Sequence, residues 1–163
     1  MPVQPAITDL EQLKSRPAVA ALQNASLLEK ATFDHDELTL YVNRSDIKQA
    51  CDILRESPET KFNFLADITC VDVFPSEPRF EVIYNLLSHS RKERVRLIAR
   101  VPGGDPSIES LMGLWPAANF FEREVFDLFG VRFVGHPNLR RIMMPEDWEG
   151  HPLRKDYPVE GYR

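Results

Sequence analysis

The side chains capable of chemistry cluster in the run Phe120–Gly130, FFEREVFDLFG. Three acids, Glu122, Glu124 and Asp127, stand among large apolar residues, and two histidines follow in Gly-His-Pro settings, His136 and His151. Acids beside a histidine are the raw material of general acid/base catalysis. That chemistry also needs a pocket, a tuned pKa and a group that stabilises developing charge. A free-standing acid/base enzyme using Glu124 and His136 is therefore the remote alternative. No GxSxG, Walker A or GxGxxG motif occurs, so nothing points to acyl, nucleotide or dinucleotide chemistry.

The same acids have a structural reading. On a helix, Glu124 and Asp127 are i, i+3 neighbours of like charge, while Arg123 and Asp127 are i, i+4 and can pair. Arg132, Arg140 and Arg141 follow with no acid between Asp127 and Glu146. A guanidinium fork fits a carboxylate bidentately. The expectation is an ion-pair network that joins the helix to the next segment. If the Glu124–Arg140 pair is buried, losing either partner should cost on the order of 3–5 kcal/mol.

Composition narrows the class. The 163 residues carry a net charge of -5, which argues against a general nucleic-acid binder. Hydrophobic residues make up 43% and charged residues 28%, as in a soluble globular protein. No apolar run is long enough to span a bilayer, and the N-terminus lacks the features of a secretory signal. Cys51 and Cys70 have no neighbouring ligands, so no metal or cluster site is expected. Both read as small buried hydrophobes, Cys51 on a helix and Cys70 on a strand.

The elements that must position the acids follow from periodicity. Residues to about Asn24 read as a helical segment broken at Pro17. SLLEKATF and ELTLYVN read as strands around a DHD turn. RSDIKQACDILRES reads as an amphipathic helix with Ser45 as N-cap and Ile47, Ala50, Cys51 and Leu54 as its buried stripe. FNFLADITCVDVF, RFEVIYNLLSHS and RKERVRLIARV alternate with period two and predict an antiparallel meander. Arg94, Arg96 and Arg100 line the polar face of its last strand, either as a solvated face or as a site for anions.

After the PGGDPS loop, MGLWPAANFFEREVFDLFG reads as a helix. Pro116 belongs in its first turn, Gly130 at its C′ position, and Ala118, Phe121, Val125 and Leu128 on its inward stripe. Beyond Phe133 the chain shows neither periodicity, yet it keeps Leu139, Ile142, Met143, Met144, Trp148, Leu153 and Tyr157. The expected organisation is an α+β domain over residues 1–133. It would consist mainly of an antiparallel sheet with helices packed on it, plus an extended C-terminal arm over 134–163. That arm would gain its order by docking on a partner subunit.

The spacing of Glu122-Arg123-Glu124, Asp127-Leu128-Phe129, His136, Arg140, Ile142 and Met143 resembles the signature of one family of respiratory complex I, the NADH:quinone oxidoreductase. That family is the C subunit, also called the 30-kilodalton subunit. WPAANFFEREVFDLFG, RRIMMPEDWEGHPLRKDYP and FNFLADITCVD resemble it too. The resemblance implies a structural subunit of the peripheral arm of a proton-translocating enzyme, on the cytoplasmic side of the inner membrane. NADH and quinone are the substrates of that assembly, and its FMN and iron–sulfur clusters lie in partner subunits, none in this chain. The implied main contact is the D subunit, with the B subunit and the cluster-bearing subunits nearby. The implied structural or interface residues are Glu122, Arg123, Glu124, Asp127, His136, Arg140, Arg141 and Arg154. The nearer alternative is the equivalent subunit of a membrane-bound hydrogenase or a ferredoxin:quinone reductase.

Overall fold

A two-residue turn organises the first hairpin in the computed structural model, which describes residues 6–161. His35 and Asp36 both adopt left-handed backbone, with φ of 49° and 65°. Two such residues form the turn that matches the natural twist of paired strands. They join β1 (Leu28–Asp34) to β2 (Glu37–Val42), which pair antiparallel with Ala31 opposite Leu40. Two short helices precede the hairpin, α1 (Leu10–Leu13) and α2 (Pro17–Asn24), and Pro17 starts the second.

Helix α3 (Ile47–Glu56) buries Ile47, Ala50, Cys51 and Leu54, the stripe its spacing predicts. Its approach differs from the expected Ser45 cap. Asn43 takes that role, accepting the Ser45 N–H at 3.1 Å at the head of a short 3-10 turn, Arg44–Asp46.

The meander forms as expected. β3 (Phe64–Asp72), β4 (Phe80–Ser88) and β5 (Glu93–Val101) pair antiparallel in sequence. The five-stranded order is β1-β2-β5-β4-β3. One join is parallel, with Leu40 of β2 opposite Leu97 of β5. The chain leaves β2 through α3 and enters the sheet again at its far edge, so the meander returns beside β2 in the same direction.

A second, two-stranded parallel sheet was not expected: β6 (Ser107–Glu109) pairs with β7 (Arg132–Val134). Strands this short carry no readable period. Helix α4 (Ala118–Phe129) also starts later than its apolar pattern implies. Trp115 precedes a proline and is thereby biased away from helical backbone, so Met112–Pro116 is spent in turns and Pro116 lies just outside the helix.

A single apolar core gathers Leu22, Leu40, Leu54, Phe62, Phe80, Tyr84, Leu97 and Leu111. Cys51 and Cys70 lie in it as free thiols. Ala118, Val125 and Phe129 of α4 are buried, whereas Phe121 and Leu128 are only partly so. The inward face of α4 also buries two carboxylates, Glu122 and Asp127, each with no exposed surface. Among the described residues no helix is long and apolar enough to cross a membrane.

Candidate functional site: the end of helix α4 and the segment that closes it

The last carbonyls of a helix have no partner within it, and its C-terminus carries partial negative charge. Gly130 ends α4 with φ of 76°, and its N–H returns to Phe126 O. The carbonyls that remain are taken by the chain that follows. Asp127 O accepts from Arg141 Nη1 at 3.1 Å and from the His151 Nδ1–H at 2.8 Å. Leu128 O accepts from the Leu153 N–H at 3.0 Å, and Phe129 O from Arg154 Nε at 2.6 Å. Two guanidinium groups thus sit where the helix favours cations.

The Asp127 carboxylate anchors the same segment. Its Oδ2 accepts three successive backbone N–H groups, from Ile142, Met143 and Met144, at 2.9, 2.7 and 2.9 Å. Its Oδ1 pairs with Arg141 at 2.6 Å. These donors hold its pKa below the usual carboxylate value although burial pushes the other way. Arg141 then reaches the carbonyls of Trp148 and Gly150, each at 2.9 Å. Arg123 donates to Arg140 O at 3.1 Å and Arg141 O at 3.2 Å, so it braces the segment rather than pairing with Asp127.

A second fastening point was not anticipated. Arg79 forms a fork on Asp72, at 3.0 and 2.7 Å, and another on Asp156, at 2.9 and 2.6 Å. The Lys155 N–H also donates to Asp72 Oδ2, at 2.8 Å. Arg79 lies 4.9 Å from the Phe74 ring centroid and 5.1 Å from that of Phe80. Asp72 ends β3 and Arg79 directly precedes β4, so the hairpin register could have signalled that pair. Asp156 had no local signal.

Several expected roles change. The cationic partner of the helix acids is Arg141, and the acid it meets is Asp127. Glu124 is exposed and forms no ion pair among the described residues, and Arg140 is exposed as well. A buried Glu124–Arg140 bridge is therefore corrected: position 124 falls on the outer face of α4. Arg132 pairs with Asp105 at 3.4 Å instead. Glu122 faces inward, where its Oε2 accepts from the Ser110 hydroxyl and its Oε1 from the Leu111 N–H, both at 2.6 Å. With no cation beside it, burial raises its pKa to about 7.

His136 is engaged by backbone on both sides. Its Nδ1 accepts from the Asn138 N–H at 3.0 Å, which leaves Nε2–H to donate to Asn119 O at 3.3 Å. No hydrogen bond joins it to Glu124, so the two do not form an acid/base pair. Among the described residues no group of three or more His, Cys, Asp or Glu side chains is arranged to hold a metal.

Four large apolar side chains of the closing segment are turned outward, whereas Leu139 packs against the core. Met143 is 61% exposed, Leu153 51%, Ile142 39% and Trp148 38%. Phe120, on the outer face of α4, is 58% exposed. The segment ties its backbone and Arg141 to its own domain and leaves Ile142, Met143, Trp148 and Leu153 at the surface.

The family model and the curated relatives point to one family. The model for the respiratory-chain NADH dehydrogenase 30 kDa subunit matches residues 40–163. The C subunit of NADH-quinone oxidoreductase from Roseiflexus sp. (strain RS-1) is 50% identical over 152 residues, covering 93% of this chain and 83% of that protein. Its counterpart from Geobacter sulfurreducens is 49% identical over 138 residues, covering 84% and 83%. Among solved structures, a trypsin-resistant fragment of Nqo5 is 34% identical, with a TM-score of 0.54 over 63% of this chain and 83% of that one. A chain of an archaeal respiratory complex, the membrane-bound sulfane sulfur reductase, is 26% identical, with a TM-score of 0.73 over 91% and 85%. The chain belongs to the respiratory-chain NADH dehydrogenase 30 kDa subunit family, the C subunits of NADH-quinone oxidoreductase.

Proposed function

We propose that this chain is a scaffold subunit of the peripheral arm of a proton-translocating NADH:quinone oxidoreductase. It docks mainly on the D subunit, close to the B subunit and the cluster-bearing subunits, on the cytoplasmic side of the inner membrane. FMN, the iron–sulfur clusters and the sites for NADH and quinone belong to those partners. The observation that carries this reading is the outward row Ile142, Met143, Trp148 and Leu153 on a segment whose backbone is held by Asp127 and Arg141 of its own domain. A row of this kind marks a protein–protein contact, and a tryptophan within it is the usual energetic centre.

The interface residues inferred from the family pattern then divide by role. Asp127, Arg123, Arg141, His136 and Arg154 shape the segment from within. Glu124 and Arg140 are exposed and available to a neighbour. Electron transfer and quinone chemistry tolerate little misplacement, so a packing defect here lowers turnover without touching a redox centre.

The test is recovery of the complex from solubilised membranes through a tag on this chain. Trp148→Ala combined with Met143→Ala should weaken capture of the partner subunits about 30-fold or more, as loss of an interface hot spot does. Thermal unfolding of the isolated chain should barely move. Equal capture by the variant and the native chain would remove the reading. The match to a membrane-bound sulfane sulfur reductase over 91% of the chain favours one second reading, the equivalent subunit of a related membrane-bound complex. The recovered complex separates the two: an NADH-oxidising flavoprotein among the partners supports the first, and its absence the second.

A further inference from the structure

We propose that residues 139–157 are fastened in their docking form in the unassembled chain, with Asp127 and the Asp72–Arg79–Asp156 clamp as the positioning residues. On this proposal the segment holds its order before it meets a neighbour. The consequence for assembly rests on the proposed docking role; the fastening itself does not.

The geometry is that of a strap held at two ends. At the first end, one carboxylate oxygen collects the N–H groups of Ile142, Met143 and Met144 within 2.7–2.9 Å. Three consecutive donors converge on one acceptor only when that stretch of backbone takes a single curled conformation. Asp127 is fully buried beneath it, so this carboxylate cannot itself reach a partner. Arg141 extends the hold to Trp148 O and Gly150 O, and thereby sets the course of the backbone that carries the Trp148 ring.

At the second end, Asp72 is fully buried and accepts the Lys155 N–H, while Arg79 ties Asp72 to Asp156. His151 and Arg154 close on the end of α4 between the two fastenings. None of these bonds uses an apolar side chain. The strap is therefore held by groups that a partner need not supply, and Ile142, Met143, Trp148 and Leu153 are presented ready for contact. Ordering a segment before it binds lowers the entropic cost of association.

Amide hydrogen exchange on the full isolated chain tests the fastening. The Ile142, Met143 and Met144 amides should exchange at least about ten-fold more slowly than in Asp127→Asn, since loss of the charged acceptor opens the curl. Asp156→Ala, at a side chain 47% exposed, removes its fork with Arg79 and should raise exchange around this position, with the Lys155 N–H still on Asp72 and the protection of Ile142–Met144 largely in place. That variant keeps the test decisive if Asp127→Asn does not fold. Unprotected Ile142–Met144 amides in the isolated native chain, slowed only on assembly, would overturn the proposal. Capture of partner subunits is measured alongside. Asp127→Asn should weaken it about ten-fold, although the residue is buried. Slow exchange in a chain that captures nothing supports the fastening and removes the docking role. Capture by a chain with unprotected amides removes the fastening alone.

Discussion

Glu122 and Asp127 lie on the same helix, both without solvent exposure, and their proton affinities are driven in opposite directions. The difference is in the donors. Asp127 has a guanidinium and three backbone N–H groups, whereas Glu122 has one hydroxyl and one N–H. Burial therefore wins at Glu122, and its pKa rises from 4.5 to about 7. A carboxyl with a raised folded pKa favours the protonated fold. Its contribution is present below 4.5 and is lost as pH climbs through about 7. Asp72 has the opposite sign. Burial pushes its pKa up, but the Arg79 fork and the Lys155 and Phe74 N–H groups together bring it from 3.8 down to about 2, so its contribution is present above 3.8 and is lost as pH drops through about 2. The prediction concerns Glu122→Gln, which removes the titration and keeps the shape. Between pH 5 and pH 8 the native chain should lose about 2–3 kcal/mol of stability relative to this variant. Urea unfolding of both proteins at the two pH values measures it; a constant difference would mean that Glu122 is no more proton-hungry in the fold than outside it.

Helix α4 matters through its end more than its length. Gly130 takes the left-handed conformation, and a Cβ there would lie 2.6 Å from the His151 ring and against the Arg154 guanidinium. The helix terminus and the strap meet with no room between them. Gly130→Ala should therefore cost at least about 1–2 kcal/mol for the backbone conformation alone. It should also push His151 and Arg154 off the carbonyls they cap. Gly130→Asn, which tolerates the left-handed region better, should recover part of the backbone cost but none of the crowding. Thermal unfolding ranks the three proteins as native, Asn, then Ala; native-like behaviour of the alanine variant would contradict the tight closure.

For the whole molecule, one core joins the sheet, α2, α3 and α4, and both cysteines are inside it. Cys51 is on α3 and Cys70 on β3, and burial pushes both thiols well above their usual pKa. A thiol that is neither ionised nor reachable does not react. Both should stay unlabelled by iodoacetamide in the folded chain and should be modified together as it unfolds. Mass spectrometry across a urea titration checks this, and early labelling of either one would show that the core opens locally.

The meander and the α3 stripe were legible because each is a period repeated over many residues: Val95, Leu97, Ala99 and Val101 on one face, and Ile47, Ala50, Cys51 and Leu54 on another. Gly130 was legible because few residues other than glycine end a helix that way at little cost. The parallel join of β2 to β5, the β6–β7 pair and the late start of α4 were not, since each is decided by where distant segments meet. The acids divide along the same line. Sequence alone determined that a run of charge on a helix would need arginine nearby, and it carried the pattern of the 30 kDa subunit family. Only the tertiary structure decided that Asp127 takes Arg141, that Glu122 faces the core, and that Arg79 reaches Asp156. The physical reason is range: propensity and periodicity act between near neighbours along the chain, while a buried carboxylate takes whatever donor the fold brings within about 3 Å.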